Sequence, residues 1–94
     1  MLARARRQAP PMKVAIQLAH AGRKGSAARP WEGGMLLSPV GGGWTPVAPS
    51  AAAHAEGERA PLALDGAGLA AVRAAFVASA RRAERCGLDA VELH

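Results

Sequence analysis

A helical stretch set between two short apolar runs limits the folds open to this chain more than any other feature. Asp65 stands where a helix N-cap belongs, Leu69, Val72, Phe76, Ala80 and Ala83 recur at spacings of three and four, and Gly87 follows as a stop. VAIQLAH (14–20) precedes this helix of residues 65–86, and LDAVELH (88–94) follows it. Both runs are short enough and apolar enough to be strands. Two strands joined through a helix run parallel, with a right-handed crossover. Parallel strands are covered on both faces in stable folds, and one helix covers one face. The expected class is therefore α/β, with one sheet face left for something other than this helix to cover.

The remaining segments fit that frame. Residues 1–11 read as the end of a preceding helix: Ala and Arg favour helix, cations suit its C-terminus, and Pro10 and Pro11 forbid continuation. Residues 21–64 hold eight of the eleven glycines and five of the seven prolines, with no sustained period, so they read as one long loop. Connections in compact domains usually run about 4–6 residues, which makes a loop of this length a candidate active-site loop. Trp31, Leu36, Leu37 and Trp44 give it anchors. Ninety-four residues make one small domain at most.

Composition removes several function classes. The net charge is +5 and no acid occurs before Glu32, yet the cations fall into separate groups with no run of four, and three aromatics offer little for stacking on bases. Nucleic acid is thus not an expected partner. Arg81, Arg82 and Arg85 sit in the last turns of the helix, where its dipole favours positive charge without any ligand. One cysteine, Cys86, excludes an internal disulfide and fits a reducing compartment, and His20, His54 and His94 are too scattered for a local metal motif. No segment approaches a membrane span, and the basic start lacks a secretory cleavage pattern. The expected location is the cytoplasm.

In a parallel array the C-terminal ends of the strands share one rim, and ligands bind there. That rim would bring Gln17, His20 and His94 together. Gln17 is the most informative of these, because an amide within a buried apolar strand must find partners for its oxygen and its nitrogen. Glu92 shares a face with His94 and could serve structurally, accepting a bond from a neighbouring strand. GRKGS lacks the spacing of a phosphate loop, and GGGW is not a dinucleotide fingerprint.

AIQLAHAGRKGSAARPW, then GGW with PVAPSA, then PLALD before the helix, and finally RCGLDAVELH together resemble the third and fourth βα units of the old yellow enzyme family. The nearest likeness is to its bacterial, xenobiotic-reductase-like branch. The resemblance implies a partial (β/α)8 barrel, FMN at the C-terminal mouth, NADPH or NADH as hydride donor, and reduction of α,β-unsaturated carbonyls. By the same likeness Gln17 is the glutamine that pairs with the flavin pyrimidine. His94 is the first histidine of the motif H-x-A-H-G-Y, which donates to the substrate carbonyl. His20, Arg23 and Lys24 fall in the QLAHAGRK motif and are assigned to the active-site rim. No metal site is implied. The second histidine and the tyrosine of the motif lie past His94, so the expectation is of a fragment, inactive alone, from a protein that forms a homo-oligomer at full length. Two other readings stay open: a small basic module contacting acidic partners or nucleic acid, and another barrel enzyme using Glu92 and His94 in acid/base roles.

Overall fold

The computed structural model describes residues 2–9 and 12–94. Met1, Pro10 and Pro11 lie outside the described residues, and with them the expected proline stop of the first helix. The chain gathers into two compact units, one of residues 1–20 and 70–94, the other of residues 21–69.

The first unit holds helix α1 (Leu2–Gln8), strand β1 (Ala15–Leu18), most of helix α2 (Gly66–Arg85) and strand β4 (Ala90–Leu93). Strands β1 and β4 pair in parallel, with Ala15 opposite Ala90, Ile16 opposite Val91, Gln17 opposite Glu92 and Leu18 opposite Leu93. The ladder extends one step at each end, through Asp89 N–H to the Val14 carbonyl and His94 N–H to the Leu18 carbonyl, both at 2.9 Å. The strands are thus shorter than the 14–20 and 88–94 expected, because only the central residues pair fully.

Helix α2 is bounded by local chemistry. Asp65 Oδ1 accepts the Gly68 N–H at 2.7 Å, capping one of the amides that no helical carbonyl can reach. At the other end the Gly87 N–H reaches the Glu84 carbonyl and the Leu88 N–H reaches the Ala83 carbonyl, with Gly87 at φ 75°. This is a Schellman stop, whose left-handed residue favours glycine. The chain then turns directly into β4.

The turn is held by Asp89. Its Oδ2 accepts the Val14 N–H at 3.0 Å and Arg6 Nη2 at 2.6 Å, and its Oδ1 accepts Lys13 Nζ at 3.3 Å. The same Arg6 nitrogen donates to the Gly87 carbonyl at 2.6 Å. One carboxylate thereby joins α1, the lead-in to β1 and the start of β4. The Val14 N–H and then the Arg6 guanidinium hold its pKa down, from 3.8 to about 2.

The expectation of buried strands is corrected. β4 is exposed along its length, Ile16 and Val91 are each 38% exposed and Leu93 is 72% exposed. Ala83 is the buried apolar residue described in this unit. Two strands and a helix cannot enclose an apolar sheet face.

The second unit holds the stretch read from the sequence as one long loop, and short regular pieces lie within it. Three 3₁₀ turns (Gly22–Lys24, Pro30–Glu32, Pro39–Gly41) punctuate it, and β2 (Val47–Ala48) pairs in parallel with β3 (Leu62–Ala63). Such short pieces carry no periodicity that a sequence pattern could reveal. Side chain to backbone bonds replace long ladders here. Ser26, buried and left-handed at φ 63°, accepts the Trp44 N–H on Oγ at 2.8 Å, while its carbonyl takes the Leu37 N–H. Gly43 packs so closely on the Leu37 carbonyl that a Cβ would lie 2.3 Å from the oxygen.

Two outcomes are expected. Since Asp89 has a lowered pKa in the folded chain, its contribution is complete above 3.8 and is lost as pH falls toward about 2. Asp89→Asn should therefore lower stability at neutral pH and flatten the fall across that window, read by urea unfolding at a series of pH values. Gly43→Ala should destabilise the second unit by at least ~1–3 kcal/mol through overpacking against backbone, measured by the same unfolding assay at neutral pH.

Candidate functional site

Alternation along the paired strands sorts their side chains into two chemically different faces. Ile16, Leu18, Val91 and Leu93 fall on one, and helix α2 runs along it. Leu18 lines an open groove with Val72 and Phe76, which Gln17 also borders, and Val91 lines another with Val77 and Ala80, which Ala90 also borders. Ala15, Gln17, Ala90, Glu92 and His94 fall on the opposite face. This face is small and polar, with its functional groups crowded toward the C-terminal ends of both strands.

Gln17 Nε2 donates to Glu92 Oε2 at 3.1 Å, across directly paired positions. The amide is exposed, which corrects the picture of a glutamine buried in an apolar strand. Desolvation therefore does not explain its presence, and its partner is a carboxylate on the neighbouring strand. His94 lies two residues beyond Glu92 on the same face, its backbone held by the Leu18 carbonyl. Alanines at 15, 19 and 90 leave the surroundings of these three side chains open.

His20, placed on the rim by sequence, lines the groove with Ala71, Val72, Phe76 and Ser79 of helix α2. Arg23 and Lys24 belong to the second unit, in its first 3₁₀ turn. Arg23 is engaged in holding that unit together: Nη1 donates to the Ala52 carbonyl at 2.8 Å and Nη2 to Ser50 Oγ at 3.2 Å. Lys24 is exposed.

Residues that sequence reasoning passed over include Asp89, Ser26 and the Glu58–Arg59 pair. Asp89 has a legible signal in hindsight: an acid at the start of a parallel strand, with cations at Arg6 and Lys13 flanking the other strand. Ser26 has none, because its role depends on a backbone angle. Glu58 Oε1 accepts the Leu36 N–H at 3.4 Å and Arg59 Nη2 donates to the Trp44 carbonyl at 3.0 Å, so both tie the second unit internally. Among the described residues no group of three or more His, Cys, Asp or Glu could hold a metal ion. No helix among them is long and apolar enough to cross a membrane.

No protein-family model matches the chain. It is 40% identical over 89 residues to a Gibberella zeae protein named NADH:flavin oxidoreductase, and 40% identical over 82 residues to a Clostridium acetobutylicum protein named NADPH dehydrogenase. Each match takes in 87% of this chain. The chain spans about a fifth of the length of these curated relatives, 21% and 20% respectively.

The Arg23 contacts generate a prediction. Lysine offers a point charge in place of a planar fork and cannot reach two acceptors in the same geometry. Arg23→Lys should expose residues 50–52 to limited proteolysis several-fold faster than in the parent chain, with β1–β4 amide protection unchanged.

Proposed function

We propose that this chain is a segment, around the third and fourth βα units, of a (β/α)8 barrel of old yellow enzyme type: an FMN-dependent oxidoreductase that uses NADPH or NADH to reduce activated C=C bonds of α,β-unsaturated carbonyls. The carrying observation is the shared sheet face of Gln17 and His94 at the C-terminal ends of two parallel strands, opposite the helix-covered face. In a barrel the helix-covered face is the outside, so that polar face is the one turned to the interior and the mouth. The names of the two relatives support the flavin and nicotinamide parts of the reading. They give no support to a basic binding module or to acid/base chemistry by Glu92 and His94. The QLAHAGRK motif supports the bacterial branch.

The donor set fits the group it would hold. A primary amide that spends one N–H on Glu92 retains a second N–H and a carbonyl oxygen, matching the alternating donors and acceptors of a pyrimidine edge. Bound there, the flavin would supply hydride transfer. His94 would donate a hydrogen bond to the substrate carbonyl and stabilise negative charge as it develops on that oxygen. His20, Arg23 and Lys24 are proposed for the rim, Arg23 by fixing the loop around Ser50. The protein containing this segment would work in the cytoplasm as a homo-oligomer.

The test replaces the matching segment of the Clostridium acetobutylicum NADPH dehydrogenase with this sequence. The chimera should purify with bound flavin. His94→Ala within it should leave flavin bound and its reduction by the nicotinamide nearly unchanged, while slowing enone reduction by roughly 100–1,000-fold, the usual cost of losing a donor to a developing oxyanion. Stopped-flow measurement of the two half-reactions separates these effects. An unchanged oxidative half-reaction would remove His94 from the chemistry, and a colourless chimera would sink the flavin assignment.

A further inference from the structure

Glu92 is the group on the polar face that the proposed reaction leaves unused, yet it makes that face's side chain to side chain bond with Gln17. We infer that Glu92 is a positioning residue that locks the Gln17 amide in one of its two orientations and so fixes which atom it presents to a flavin ring. The inference rests on the functional reading above and adds a role for a residue outside the chemistry.

The argument starts from what each group can do. A carboxamide has a donor end and an acceptor end of nearly equal shape, and rotation about its last bond exchanges them. Left alone on an exposed strand, Gln17 would show a ligand either end. An ionised carboxylate only accepts, so beside Glu92 the amide nitrogen is drawn toward Oε2 and the flipped form sets oxygen against oxygen. The register makes this persistent, because Gln17 and Glu92 are directly opposed in the parallel ladder and the bond is 3.1 Å. Bonds from Asp89 to Val14 and from His94 to Leu18 hold that register at its two ends. The result is an amide whose Oε1 and second N–H point away from Glu92 in a fixed order. A pyrimidine edge, with its N–H flanked by two carbonyls, then meets the acceptor and the donor without a prior flip.

Among the described residues of its own sheet face, the pair is accompanied by His94, the residue that follows β4, and by alanines at 15, 19 and 90. Helix α2 runs along the opposite face, where Arg81 lines the groove with Val91. Replacing Glu92 by Gln keeps the shape and an acceptor but lets either amide end face Gln17. Replacing it by Ala removes the lock.

The experiment takes as its parent chain the chimera described above, which completes the barrel around this segment, freed of flavin and labelled at its glutamine side chains for NMR, with FMN as the probe. In the parent chain one of the two Gln17 Nε2 protons should lie well downfield of its partner, the mark of a bond to a charged acceptor. The separation should collapse in Glu92→Ala and Glu92→Gln, while exchange protection of the His94 amide stays as in the parent and reports an intact ladder. Titrating FMN should shift the Gln17 Nε2 protons, and both variants should need about fivefold more FMN for the same shift, the effect of one ordinary hydrogen bond. Two outcomes overturn the positioning role alone: no downfield proton in the parent chain, or equal FMN titrations in parent and variants. An absent FMN response at Gln17 in the parent chain overturns the flavin part of the inference together with the functional reading, and the downfield proton then reports the amide lock separately.

Discussion

One carboxylate holds the first unit in register. Asp89 accepts a backbone amide from the lead-in to β1, a guanidinium from α1 and an ammonium from Lys13, while its own N–H bonds to the Val14 carbonyl. Without it the start of β4 would be joined to β1 by little more than the first rung of a short ladder. A parallel pair has no tight turn to set its alignment, so some other contact must, and here it is ionic and hydrogen-bonded. The alignment matters because a slip by one residue would send every side chain to the opposite face. Gln17 would then meet no carboxylate, and Glu92 would turn toward α2.

How much of this could be read from the sequence depends on the range of the interaction involved. Helix α2 was legible because its cap, its period and its stop are all local: Asp65 is three residues from the amide it accepts, and Gly87 stands one residue past Cys86. The parallel pairing followed from the order of elements alone. Strand exposure did not follow, because a run such as VAIQL looks the same whether neighbours cover it or not. The structure of residues 21–64 was illegible for a different reason. Ser26 Oγ on Trp44, Glu58 on Leu36 and Gly43 on the Leu37 carbonyl depend on backbone angles and on contacts distant along the chain.

At the candidate site, residue types were legible and their relations were not. The sequence singled out Gln17 for a reason that the structure replaces: desolvation in a buried strand gives way to a paired carboxylate on an exposed face. Glu92 was recognised as a possible acceptor for a neighbouring strand without its donor being named. The donor became identifiable only when Gln17 was seen opposite it, which is a fact of register. Arg23 shows the converse. Its motif suggested a rim, and its guanidinium is occupied in tying down Ser50 and Ala52.

Strand direction separates the clamp from the polar face in this unit. The clamp of Asp89, Arg6, Lys13 and Val14 gathers at the N-terminal ends of β1 and β4, and the polar face carrying Gln17, Glu92 and His94 gathers toward the C-terminal ends. That is the division of labour found in parallel α/β barrels, where the lower rim stabilises and the upper rim binds. It has a physical cause. The C-terminal ends of parallel strands open into long loops, such as residues 21–64 here, that can be remodelled without disturbing the sheet, whereas the N-terminal ends receive helix stops that must turn tightly. Gly87 and Asp89 are the two parts of one such turn: the glycine supplies the backbone angle, and the aspartate two residues on fastens the emerging strand. Because the fastening is done at that end, the side chains at the other end are free to be chosen for chemistry, and a glutamine, a glutamate and a histidine can stand together on a face where a self-sufficient sheet would place apolar groups.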